Sequence, residues 1–115
     1  MARVSLNDEI LVRGRHLHLQ TNTIEELSKI ISTLFDSGRV IKKAEYTYNP
    51  DMPPDRLKVV VKSIHSKRID VIQGLYLCLE RIKSGVVENA DRLRKDFLEW
   101  NLKEEAGVVF RYIEK

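Results

Sequence analysis

The sequence predicts an α+β fold: an antiparallel sheet of three or four strands packed by one long helix, with a second helix toward the C-terminus. Three observations carry this expectation. Residues 15–21 and 40–48 alternate apolar and polar side chains, as half-buried strands do. Residues 55–83 repeat apolar side chains at steps of three and four, which is the period of a helix. Glycine and proline fall between these segments rather than inside them, apart from Gly74.

The chain has 115 residues, of which 43% are hydrophobic and 32% charged. That length suits one domain with one core, and the balance of apolar to charged residues is that of a folded protein rather than a disordered one. The N-terminal residues lack the continuous apolar stretch of a signal peptide, and no segment approaches the ~18 apolar residues of a membrane span. Cys78 is the only cysteine, which rules out an internal disulfide and a metal site of paired thiolates. A reducing cytoplasm fits this best. The formal net charge of +3 is too small an excess to imply nucleic acid by itself, because phosphate binding needs clustered cations.

Residues 9–12 form a short apolar run and residues 15–21 alternate, with Leu17 and Leu19 on one face and His16, His18 and Gln20 on the other. Gly14 between them accepts the positive φ of a tight turn, so this region reads as a hairpin. Residues 23–35 admit two readings. Thr23-Ile24-Glu25-Glu26 matches a capping box, and Ile24, Leu27, Ile31 and Leu34 recur at helical spacing. The β-branched content of residues 30–35 and the turn Asp36-Ser37-Gly38-Arg39 equally suit a hairpin into a strand over residues 40–48. On that strand Val40, Ala44, Tyr46 and Tyr48 share one face and Ile41, Lys43, Glu45 and Thr47 the other. Asn49-Pro50-Asp51-Met52-Pro53-Pro54 stops it and leads into a helix.

A helix over residues 55–83 would span ~43 Å, longer than the roughly 35 Å diameter of a compact domain of this size. It therefore overhangs, kinks at Gly74, or gives up residues 57–64 to a fifth strand and starts at Ser66. Gly85 closes it. Val86, Ala90, Leu93, Phe97 and Trp100 then repeat at steps of four and three, predicting a second helix over residues 87–105. Residues 108–113 read as a short strand or docking segment.

His16-Leu17-His18-Leu19-Gln20-Thr21, the run from Ile31 to Ile41, and Ile64-His65-Ser66-Lys67 resemble a group of short uncharacterised bacterial proteins. In those a strand ending in Gln-Thr precedes a hairpin with a Gly-containing turn and then a helix with a His at its centre. The resemblance implies that residues 28–35 are strand, making a four-stranded antiparallel meander before a long helix. It implies no activity.

Candidate sites are few. His16 and His18, two apart on a strand, project from one face and are candidates for a metal if a third ligand such as His65 or a carboxylate joins them, although a half-exposed strand explains them as well. Arg13, Arg15, Lys42 and Lys43 are the cations of a nucleic-acid reading in which Tyr46 and Tyr48 stack on bases. Against it stand the absence of an RNA-recognition signature and the opposite faces taken by Lys42 and Lys43. Ser63, His65, Asp70 and Cys78 lack any nucleophile elbow or oxyanion turn, and no phosphate loop occurs, so neither catalysis nor a cofactor is expected. Cys78, at the edge of the helical stripe, reads as a buried small hydrophobe. Val59, Ile69, Tyr76 and Leu77 project from the long helix away from its main stripe, leaving apolar surface for another chain or for the second helix, which could fold back and seal a monomer. These observations favour a homodimeric adaptor or regulatory protein that binds an unidentified protein partner, with Trp100, Phe97, Leu93, Tyr76 and Ile69 at its helical interface.

Overall fold

A computed structural model of the chain describes residues 3–12, 14–86 and 88–113. Four antiparallel strands come first: β1 (Ser5–Val12), β2 (Arg15–Ile24), β3 (Lys29–Asp36) and β4 (Arg39–Thr47). They lie side by side in sequence order, each joined to the next as a hairpin. Helices follow: α1 (Pro54–Lys83), α2 (Ala90–Glu99) and α3 (Lys103–Ile113). This is the α+β class that alternation and helical periodicity predict. The chain divides into two compact units, Met1–Asp70 and Val71–Lys115.

In the N-terminal unit the sheet is buried on one face. Ile10, Leu17, Leu19, Thr21, Ile30, Ser32 and Leu34 turn to that face and are all but inaccessible. Val4, Ile30, Leu57 and Val61 form a core cluster bordered by Tyr46, Tyr48, Met52 and Ile64, so the first turns of α1 cover this part of the sheet. Gly14, between β1 and β2, has φ of 78°.

Residues 23–35 resolve as strand, a three-residue 3-10 turn at Glu25–Leu27, and strand again. The Thr23 hydroxyl that would cap a helix instead accepts the Val4 backbone N–H at 3.0 Å, and the Thr23 N–H donates to the Val4 carbonyl. Ser28 takes the left-handed conformation, φ 48°, that reverses the chain into β3. Long-range pairing overrides a local helix signal whose apolar stripe would have placed Leu27, now 59% exposed, in the core.

On β4 a register shift between Leu34 and Phe35 corrects the facial assignment. Leu34 pairs with Lys42 but Phe35 pairs with Val40, so Val40 leaves the face of Ala44 and Tyr46 and joins the outer one. Val40 is 59% exposed as a result.

α1 is a single helix, unbroken at Ser66 and Gly74, and residues 57–64 lie within it rather than in a fifth strand. Gly85, φ 101°, ends it: the Gly85 N–H bonds to the Ile82 carbonyl and the Val86 N–H to the Arg81 carbonyl, the paired closure of a left-handed cap. The expected helix over residues 87–105 is two helices, and residues 108–113 are helix rather than strand. The same closure recurs at Asn101, φ 60°, with the Asn101 N–H on the Leu98 carbonyl and the Leu102 N–H on that of Phe97. Asn tolerates this conformation, and Leu102 folds back beside Phe97, both fully buried.

Candidate protein-binding surfaces

The outer face of the sheet carries Glu9, His18, Phe35 and Val40 as successive cross-strand partners. His18 meets Phe35 edge-on at 6.1 Å. His16 and His18 do share this face, but their ring nitrogens pair with Glu9 at 3.3 Å and Asn7 at 3.1 Å. Among the described residues no group of three or more metal-ligating side chains converges. His65, one of the third ligands the metal reading considered, is buried on the other side of the sheet.

There His65 forms the middle of a polar chain that sequence reading missed. Its Nε2 lies 2.7 Å from Asp8 Oδ2 and its Nδ1 2.6 Å from Thr21 Oγ1, which lies 3.0 Å from Ser32 Oγ. With Asp8 ionised and the imidazole neutral, Nε2–H donates to the carboxylate and Nδ1 accepts from Thr21, whose hydroxyl accepts in turn from Ser32. A hydroxyl, an imidazole and a carboxylate in line also describe a nucleophilic triad, but Thr21 and Ser32 are fully buried, so no substrate atom can reach the hydroxyl. The chain ties α1 to β1, β2 and β3. Its signal lay in the spacing: Leu57, Val61 and His65 fall four apart on the buried stripe of α1. Ser63 and Asp70, the partners considered for His65, lie elsewhere on the helix and do not join it.

The cations of the nucleic-acid reading do not assemble. Arg13 lies outside the described residues. Arg15 is ion-paired with Asp36 on the buried-face side. Lys42 pairs across from Leu34 on that side, whereas Lys43 pairs with Thr33 on the outer face. Tyr46 and Tyr48 pack against the core cluster, while Phe35 and His18 meet edge-on on the outer face.

In the C-terminal unit Phe97 and Leu93, two of the five expected interface anchors, are consumed by the unit's own core at 0% and 6% exposure. Tyr76 is half-buried, stacks edge-on against Phe97 at 5.4 Å, and donates its hydroxyl to the buried carboxylate of Glu105. Trp100, at the C-terminal end of α2, and Ile69, in the N-terminal unit, are half-buried. Apolar side chains are instead exposed at Leu98, Phe110 and Ile113, and the Arg94 guanidinium sits 5.7 Å from the Phe110 ring centroid. Cys78 is exposed rather than buried, one step round α1 from the Leu75–Leu79 stripe.

Asp91, in the first turn of α2, receives hydrogen bonds from Lys95 and Arg94, four and three residues on, and these hold its carboxyl below the ordinary aspartate value. A carboxylate depressed in the folded state contributes stability above its unfolded pKa and loses that contribution as pH falls through the folded one. An NMR titration should therefore find Asp91 ionised to lower pH than a free aspartate, and Lys95→Ala should move its midpoint back up. An unchanged midpoint in that variant would show the ion pair is not formed in solution.

The chain is a four-stranded antiparallel meander followed by a long helix and a helical C-terminal unit. No protein-family model, curated protein or solved structure matches the chain.

Proposed function

We infer that this chain is a non-catalytic, cytoplasmic protein-binding module that acts as a homodimer through its C-terminal helices. What supports the reading is the distribution of exposed apolar surface. Of the ten large apolar side chains exposed among the described residues, six belong to the C-terminal unit: Val71, Leu77, Val86, Leu98, Phe110 and Ile113. A unit this small buries a limited fraction of its surface alone, and a second copy supplies the missing cover most economically through a closed twofold contact. Phe110, with Arg94 over its ring, has the makeup of an interface anchor. No described helix is long and apolar enough to cross a membrane, so the apolar residues do not form a transmembrane helix.

The test is the solution mass by light scattering across a dilution series, on the wild type and on a Leu98→Glu, Phe110→Glu double variant. The expected result is a wild-type dimer that the variant weakens at least about tenfold, with an unchanged circular dichroism spectrum. A wild type that stays monomeric at every concentration rejects the reading.

A further inference from the structure

We propose that the free edge of β1 accepts an extended, basic peptide segment of another protein as an antiparallel fifth strand. The two edges of the sheet are not equivalent. β4 carries a register shift at Leu34/Phe35 and the consecutive lysines Lys42 and Lys43, the devices that discourage strand addition. β1 carries none of these: it pairs with β2 through eight consecutive residues without a bulge, a proline or a lysine.

The ladder shows which backbone groups are on offer. The Thr23 N–H donates to the Val4 carbonyl, and bonded and non-bonded pairs alternate along an antiparallel ladder. Leu6, Asp8, Ile10 and Val12 therefore turn their backbone groups toward β2, while Ser5, Asn7, Glu9 and Leu11 turn theirs away from the sheet. Leu11 is 82% exposed, beside the edge that an added strand would occupy.

Charge selects the occupant. Asp8 and Glu9 are consecutive, so their carboxylates stand on opposite faces of the edge, each 59% exposed despite their histidine contacts. Twofold pairing of β1 with a second β1, helices on one side, centres in its longest registers on Asp8 or Glu9 and there sets carboxylate directly against carboxylate. That disfavours self-association at this edge. A strand with two apolar residues followed by two basic ones would set its apolar pair against Leu11 and Ile10 and a cation against each of Glu9 and Asp8. Backbone hydrogen bonds would supply affinity and the charges would supply register.

The experiment titrates a blocked synthetic peptide, two valines followed by two lysines at its centre, into isotope-labelled protein and follows backbone amides by NMR. The expected result is saturable shifts concentrated at Ser5, Asn7, Glu9 and Leu11, weakening as salt is raised. Asn7→Pro removes an outward N–H that the β1–β2 ladder does not use, and should abolish binding. Because that variant could perturb the strand, Glu9→Lys provides a second arm. It should lower affinity about tenfold for the lysine peptide and restore it for a peptide with glutamate in place of the first lysine, the one set against residue 9, the second lysine still facing Asp8. Absence of shifts on β1, shifts centred on another element, or a Glu9→Lys variant that binds both peptides alike would overturn the proposal. Concentration-dependent β1 shifts without peptide would assign the edge to a second copy instead.

Discussion

Phe97→Ala should destabilise the C-terminal unit by about 3–5 kcal/mol, the cost of removing a large buried aromatic and leaving a cavity that relaxes only in part. Phe97 is fully inaccessible and stands where three interactions meet. It stacks edge-on against Tyr76, shares the buried core with Leu102, and its carbonyl accepts the Leu102 N–H that closes α2. The truncation thus removes both core volume and the apolar partner that holds the turn between α2 and α3. Urea unfolding followed by far-ultraviolet circular dichroism measures it. Phe110→Ala, measured at protein concentrations where the chain is monomeric, is the matched control: the same chemistry at 45% exposure should there cost less than about 1 kcal/mol. Equal losses in the two variants would mean that Phe97 is not the centre of this unit's core.

His65→Ala should cost about 3 kcal/mol, combining a cavity with the loss of two hydrogen bonds at a site with little water. Thr21 would lose its contact with the ring and Asp8 its only described tie to α1. Thr21→Val separates the two contributions, since it keeps the volume and removes only the hydroxyl, and should cost about 1–2 kcal/mol. Combined with His65→Phe, it should cost less than the sum of the two single changes, because each breaks the same chain. Strict additivity, measured by denaturant midpoints at constant slope, would show that the hydroxyl and the imidazole do not interact.

These two sites differ in how far the sequence disclosed them. The helical recurrence of Leu93 and Phe97 was plain, and so was their apolar role. Their partner was not, because whether a stripe is covered by its own chain or by another copy is not encoded in its period. The break after Trp100 explains the misreading. Asn101 in a left-handed cap folds α3 back on α2, and the two stripes bury one another instead of continuing as one exposed helix. His65 lay in a visible stripe too, yet its partners are 44 and 57 residues away, on β2 and β1. No local spacing could point to them.

What the sequence determined by itself was periodicity and its interruptions: alternation over β2 and β4, the stripe of α1, the turns at Gly14 and Gly38, and the stop at Gly85. These depend on steric preferences and on one face of each element being buried, both properties of neighbouring residues. Tertiary structure decided everything that required two distant segments to compete for the same groups. It gave residues 23–35 to the sheet because the Val4 and Thr23 backbones could pair, and a capped helix would have left those groups and Leu34 unpartnered. It moved Val40 to the outer face through a one-residue shift invisible in composition. It also turned Tyr46 and Tyr48 toward the core and paired Arg15 with Asp36, because a half-buried sheet places each side chain according to what lies across the ladder.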